Sequence, residues 1–572
     1  MTDTDSLVQP GPLVEDSLVE DSLVGASLVD AETAHITRVS ANDIADALGR
    51  PRPTEQQRAV IEAGLDPALV IAGAGSGKTE TMANRVLWLL ANGLVEPGQI
   101  LGLTFTRKAA GELSARIRER IRALANNDVI RVDAGLPPLL AVPYDEFDPP
   151  NVATYNSFAN TIFRDNAILL GRESDGAVLG EAAAWQLARR VVIDSRDPRL
   201  AGLGRNVDQI TRAVLTLSQS LGENIADPAE VRRFAEDFTA VAELPPGGRG
   251  AYADVDEMAK TVGGLPVVLD AAERYAAAKK ERGFVEYSDQ VALALEVVRT
   301  VPTVAADFRD RYRVVLLDEY QDTSVVQTWL LAALFARHPV MAVGDPNQSI
   351  YGWRGASAAN LEQFATQFAE GTASTFSLTT SWRNGRDILR SANTIVAPLV
   401  PETRVPVARL EPSFTASDVP VDVVFAETVE AEAEAAAAWL KQKLAEGGPD
   451  ATAAMLFRTR KSQQYFLDAL RKADVPYHVL GIGGLMAEPE IADLVSALTV
   501  LQDPTAGSEL VRLLAGSRWR IGAKDLHALS RVASWLRDRD LAQQPLEDDV
   551  RQQLRDSVAD GEGGSIIDAL DF

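Results

Sequence analysis

The chain has 572 residues, enough for several domains, and its 46% hydrophobic and 24% charged shares are ordinary for a globular protein. It contains no cysteine and four scattered histidines (His35, His338, His478, His527), which excludes disulfides, thiol nucleophiles, iron–sulfur clusters and cysteine-bound zinc and argues against a histidine metal site. The formal net charge of −25 speaks against nucleic acid as a partner of the whole surface, although a local basic groove can hold phosphate beneath an acidic exterior. No run reaches the apolar length of a membrane span, and the N-terminus lacks a basic, apolar secretion signal, so a cytoplasmic protein with no membrane partner is expected.

Residues 1–35 repeat an acidic unit, Leu13-Val-Glu-Asp-Ser then Leu18-Val-Glu-Asp-Ser, with a period that fits neither helix nor strand, and are expected to be a disordered tail. Ser40 can cap a short helix through Leu48, and Thr54 the next one, which carries Gln56, a side-chain amide placed to meet an adenine edge. Leu69-Val-Ile71 then reads as a buried strand that breaks into Ala72-Gly73-Ala74-Gly75-Ser76-Gly77-Lys78-Thr79, with a helix following from Glu80. Strand, glycine-rich turn, Gly-Lys-Thr and helix form a P-loop, in which backbone N–H groups converge on a phosphate, Lys78 reaches the outer phosphates and Thr79 gives its hydroxyl to Mg²⁺. The strict pattern has glycine where Ala72 stands.

A second strand, Ile100 to Leu103, ends at Thr104, Phe105 and Lys108, which could face a nucleic-acid backbone with Phe105 under a base. The arginines of the helix that follows, Glu112 to Arg122, read either as a solvated face or as part of that surface. Residues 125–150 read as loops, 152–158 as strand to helix, and 180–282 as a helical insertion. Val314 to Leu317 is a continuous apolar run ending in Asp318 and Glu319; at the C-terminal end of a parallel strand Asp318 would complete the Mg²⁺ shell and Glu319 would polarise an attacking water. Val340 to Val343 leads into Gly344-Asp345-Pro-Asn-Gln348-Ser-Ile-Tyr351-Gly-Trp353-Arg354, where Gln348 could sense a γ-phosphate while Tyr351, Trp353 and Arg354 stack on or hold bases; taken singly, Trp353 reads better as a core residue. Trp382 could stack on adenine and Arg383 bridge to phosphate across a cleft. A second α/β unit is expected from strands at 421–425, 453–457 and 477–480 and helices at 431–444 and 461–473, followed by helix from Glu490.

The ordered set PTEQQRAVI, AGAGSGKT, LTFTRKAAGEL, LLDEYQD, VGDPNQSIYGWRGA and SWRN resembles the UvrD/Rep-like superfamily 1 DNA helicases from about residue 50 to about 530, and LTFTRKAAGEL also resembles an actinobacterial helicase–nuclease group. The resemblance implies an α/β protein with two RecA-like P-loop domains, helical insertions, ATP and Mg²⁺ in the cleft, and single-stranded DNA across the top. The implied partition is the tail over 1–35, a first RecA-like domain over 36–115 and 290–380 split by the insertion over 116–289, the N-terminal part of a second over 381–505, and the start of a second insertion over 506–572.

By matching positions, Gln56 reads adenine, Lys78, Thr79, Asp318, Glu319, Gln348 and Arg383 serve phosphate, metal and hydrolysis, and Arg85 with Trp382 sandwiches adenine. Phe105, Tyr351 and Trp353 stack on DNA, and the family's Thr-Phe-His turn reads Thr154-Tyr155-Asn156, altering one DNA contact. The later His-x-x-Lys-Gly-Leu-Glu and Thr-Arg-Ala motifs, the second of which carries another arginine, are not found, so a truncated chain with weak ATPase is expected; no nuclease-type Asp…Glu-x-Lys cluster follows. The implied function is ATP-driven translocation 3′ to 5′ on single-stranded DNA with duplex unwinding, in repair or recombination and with a helicase–nuclease partner subunit. The alternative is a weakened DNA-binding or scaffold subunit, while a small-molecule kinase leaves the aromatic turn unexplained.

Overall fold

The computed structural model describes residues 39–572 except 175, 245–252, 353–354, 358, 403–404, 406, 481–487, 504–505, 538, 540–543 and 551–564. The acidic repeat, Trp353 and Arg354 therefore lie outside the described residues.

The N-terminal part opens with α1 (Ala41–Ala47), capped by Ser40, and α2 (Glu55–Ile61), capped by Thr54; in both, the cap side chain and the third helical residue exchange hydrogen bonds with each other's backbone. Then come β1 (Ala68–Ala72), α3 (Lys78–Ala91), β2 (Ile100–Thr104), α4 (Arg107–Asp133), β3 (Asn151–Thr154) and α5 (Tyr155–Asn166). Helix α4 runs well past the expected Arg122, because Leu113, Ile117, Ile121 and Leu124 keep a buried stripe at helical spacing. Asp128, inside the stretch expected to be loop, accepts the backbone N–H groups of Leu139 and Leu140 and so holds the returning chain against the helix.

The helical insertion comprises α6 (Glu181–Asp194), α7 (Pro198–Ala201), α8 (Val207–Asn224), α9 (Pro228–Ala240), α10 (Ala253–Gly263) and α11 (Leu265–Glu281), with a core of its own around Leu187, Val214 and Tyr275. Its entry and exit segments, β4 (Ala177–Val178) and β5 (Phe284–Val285), pair in parallel. Just before β5, buried Lys279 is held by Glu286 and Asp289.

The chain then returns through α12 (Tyr287–Thr300) and α13 (Pro302–Arg311) to β6 (Val314–Leu317), α14 (Val325–Phe335), β7 (Val340–Gly344), α15 (Ala359–Phe368) and β8 (Ser374–Leu378). Six parallel strands form one sheet in the order β3-β2-β6-β7-β1-β8. Both faces are covered, which is why the central strands read as unbroken apolar runs: Leu69 and Ile71 of β1 enter the core beneath α5, α12 and α14, while Ala68, Val70 and Ala72 enter the one beneath α3 and α4. Since every strand points the same way, the strand ends carrying polar residues gather along one edge.

Beyond β8 the second unit departs from expectation. β9 (Thr380–Ser381) pairs with β10 (Glu411–Pro412), and helices Val429–Gly447 and Gln463–Lys472 pack through Ala433, Ala437, Ala469 and Leu470. The expected strands at 421–425, 453–457 and 477–480 do not form: no ladder is described there, and Phe425, Leu456 and Leu480 stand in solvent. Alternating apolar residues give a segment the pattern of a strand, but a strand exists only with a hydrogen-bonded neighbour, and none of the described residues supplies one.

Candidate nucleotide and nucleic-acid site

The loop after β1 turns back on itself through Gly75 (φ +75°) and Gly77 (φ +82°), left-handed conformations that suit glycine, and Gly77 delivers the chain into α3 with Lys78 as its first residue. Gly73 has a second reason to be glycine, since a Cβ there would run into Leu410. A Cβ on Gly75 would sit 2.7 Å from Ser381 Oγ and 2.8 Å from Arg383 Cβ, and the Trp382 N–H donates to Gly75 O at 2.8 Å. Segment 381–383 thus lies directly against the loop and brings Arg383 beside it, with the Arg383 side chain exposed.

Across the loop, Lys78 Nζ lies 3.1 Å from Glu319 Oε2. Glu319 adopts a left-handed backbone (φ 49°, ψ 44°), a conformation costly for a side-chain-bearing residue and one that turns its carboxylate toward the loop. Asp318 is buried, its Oδ1 has no hydrogen-bond partner, and burial followed by the Glu319 charge pushes its carboxyl up to about 6. Asp322 is pushed up to about 6 for the same two reasons, and its Oδ1 also lacks a partner. Three acidic groups crowd one lysine. Asp318 and Thr79 carry oxygens of the kind a divalent cation takes, and among the described residues no group of three or more His, Cys, Asp or Glu side chains is arranged to hold a metal ion by itself.

A line of hydrogen bonds leads from here to the aromatic turn. Gln321 Nε2 donates to Glu319 Oε2 (2.7 Å), the Asp345 N–H donates to Gln321 Oε1 (3.1 Å), and Gln348 Nε2 donates to Asp345 Oδ2 (2.6 Å). Farther along, the Ser357 N–H donates to Thr323 O (3.2 Å), so both ends of the turn are anchored on the loop after β6. The ring of Tyr351 lies 4.7 Å from that of Phe105, forming an aromatic step over the ends of β2 and β7. Lys108 projects into solvent nearby in sequence, and Asn156, also exposed, accepts a hydrogen bond from Gln327.

Three expected contacts are corrected. Arg85 does not reach an adenine: it is buried and donates to the carbonyls of Val60, Ile61, Ala63 and Gly64, satisfying the C-terminal end of α2. Trp382 therefore stands without Arg85 opposite it, partly exposed and edge-on to Phe414. Thr104 is fully buried with its hydroxyl 3.5 Å from Asp318 Oδ2, and Tyr155 is buried with its hydroxyl donating to Asp318 O, so both brace the carboxylate loop from within and neither faces DNA. Gln56 is exposed and exchanges hydrogen bonds with Thr379, three residues before Trp382. The Glu80 carboxylate is taken by Arg120 of α4 at 2.6 Å. Gln321 and Asp322 carry no motif of their own; the sequence marks them only by their place just beyond Asp318-Glu319 after β6.

Sequence comparison decides the family. The UvrD/REP helicase N-terminal domain matches residues 53–369, more than half of the chain, and the UvrD-like helicase C-terminal domain matches residues 376–546. The chain belongs to the UvrD/REP helicase family. It is 28% identical over 494 residues to the ATP-dependent DNA helicase UvrD1 of Mycobacterium tuberculosis, covering 84% of this chain and 56% of that relative. It is 29% identical over 519 residues to UvrD2 of the same organism (86% and 65%), and 26% identical over 487 residues to the ATP-dependent DNA helicase PcrA of Leuconostoc citreum (84% and 57%). The chain thus spans a little over half the length of most of these relatives. Among the described residues no helix is long and apolar enough to cross a membrane.

Proposed function

We propose that this chain hydrolyses ATP in the cleft between the phosphate loop and segment 381–383 and uses the cycle to move along single-stranded DNA, 3′ to 5′, as part of a helicase. The observation that carries the reading is the unbroken line Lys78–Glu319–Gln321–Asp345–Gln348, which joins a phosphate-binding loop to an aromatic turn. In this reading the loop backbone and Lys78 hold the phosphates. Thr79 and Asp318 hold Mg²⁺, which neutralises phosphate charge when bound. Glu319 accepts the proton of the attacking water, while Gln348 and Arg383 stabilise the transferred phosphate from the far side. Gln56 and Trp382 frame the adenine. Phe105, Tyr351 and Lys108 meet the strand, whose bases pass over the aromatic step.

The domain limits follow the same reading: 36–115 with 290–380 as the first motor lobe, 116–289 as its insertion, 381–505 as the second lobe, and 506–572 as the start of another insertion. The cellular setting is repair or recombination in the cytoplasm, with a helicase–nuclease partner subunit. A second reading, a DNA-binding subunit of weak turnover, is favoured by the unpaired segments of the second lobe.

ATP hydrolysis by the chain with and without an oligo-dT separates the two. The motor reading expects stimulation by DNA, and expects Lys78→Ala to lower the rate by at least about a hundredfold while oligo-dT binding persists. Equal rates with and without DNA contradict it.

A further inference from the structure

Gln321 is buried between the phosphate loop and the aromatic turn, and all its polar atoms beyond the backbone N–H have partners on one side or the other. Its Nε2 donates to Glu319 Oε2, the oxygen that also faces Lys78 Nζ, and its Oε1 accepts the N–H of Asp345. Its backbone carbonyl accepts from Ser349 Oγ at 3.1 Å, so one residue holds both ends of the short turn that carries Gln348. The orientation of the amide is fixed by chemistry: rotated by half a turn, it would set its oxygen against a carboxylate and its N–H₂ against an N–H. Gly344 leaves the room for this contact, since a Cβ there would lie 2.8 Å from Gln321 Oε1.

We propose that Gln321 is the positioning residue through which Glu319 and the 345–351 turn sense each other. The inference rests on the hydrolytic role proposed for Glu319 above. Lys78 and Gln321 share Glu319 Oε2. A γ-phosphate competes for the Lys78 ammonium, and the carboxylate then takes its orientation from Gln321 alone. Because the amide is planar and both its ends are engaged, a displacement of Glu319 is passed to the Asp345 N–H, from Asp345 to Gln348, and along the turn to Tyr351. In the other direction, a base seated against Tyr351 and Phe105 fixes the turn, and through the same amide fixes Glu319 in its working orientation.

The test compares the full chain with Gln321→Ala and with the nearly isosteric Gln321→Glu, which keeps an acceptor for Asp345 but opposes a second anion to Glu319. ATP hydrolysis is measured with and without oligo-dT, alongside KM for ATP and oligo-dT affinity by anisotropy. In both variants the DNA-stimulated kcat is expected to fall about ten- to a hundredfold, with KM and oligo-dT affinity changed less than about threefold. Adding Tyr351→Ala to either variant should cost less than the sum of the single effects. A stimulation ratio within about twofold of the parent chain in Gln321→Glu overturns the proposal. So does an equal loss of unstimulated and stimulated rates, which marks a purely structural role. If the parent chain itself shows no stimulation, the motor reading falls and takes this proposal with it; a stimulated parent with unaffected variants removes the proposal alone.

Discussion

Arg383→Ala is expected to slow single-turnover ATP hydrolysis by about 10³–10⁵-fold while leaving nucleotide affinity nearly unchanged. Arg383 follows the short strand β9, its Cβ packs where a side chain on Gly75 would have to go, and its guanidinium has no hydrogen bond or ion pair among the described residues. A cation placed beside the phosphate loop from the opposite wall meets charge as it develops on the transferred group, so it acts on the transition state more than on binding. Arg383→Lys is expected to recover only part of the rate, because an ammonium lacks the planar fork that matches phosphate oxygens. A loss below about tenfold in the alanine variant would remove Arg383 from the hydrolytic role.

Glu319→Gln is expected to lower kcat by about 10²–10⁴-fold, with the fold intact and nucleotide still bound. The substitution preserves volume and the contact with Gln321 but removes the negative charge that pairs with Lys78 and, under the proposed role, the basic oxygen that would take the proton from water. The left-handed backbone at residue 319 supports this assignment. A non-glycine residue is held there in an unfavourable conformation by Tyr155 and Thr104 bracing the preceding aspartate from behind, and the consequence is a carboxylate presented at the loop. Rates in a quench-flow assay within about tenfold of the parent would place the base elsewhere.

How much of this was legible depended on whether a local pattern sufficed. The strand–loop–helix around Lys78 and the apolar runs ending at Asp318 and Gly344 were readable, because a doubly covered parallel strand is continuous in sequence and its polar termination marks the ligand edge. Three residues with no such local mark, Arg85, Thr104 and Tyr155, lie beside those same anchors. Arg85 falls on a face of α3 that only the packing of α2 identifies as interior, and the carbonyls it satisfies are distant in sequence. Thr104 ends β2 and Tyr155 opens α5 directly after β3, where one residue of register decides between solvent and core. The segments at 421–425, 453–457 and 477–480 carry the alternation of strands, but pairing is a property of two segments and the second is not among the described residues. Gln321 carries no strong chemical signature in the sequence, since a glutamine gains a role only from the partners that the fold brings to it, here Glu319 and Asp345.

The central claim is that a nucleotide in the loop and a strand on the aromatic turn are energetically coupled. Its most direct measurement is the affinity of the chain for a fluorescent oligo-dT with and without a saturating non-hydrolysable ATP analogue. Coupling across the Glu319–Gln321–Asp345 line predicts a change of about fivefold or more, with the same factor appearing in analogue affinity when DNA is saturating. Identical affinities in both directions would contradict the account.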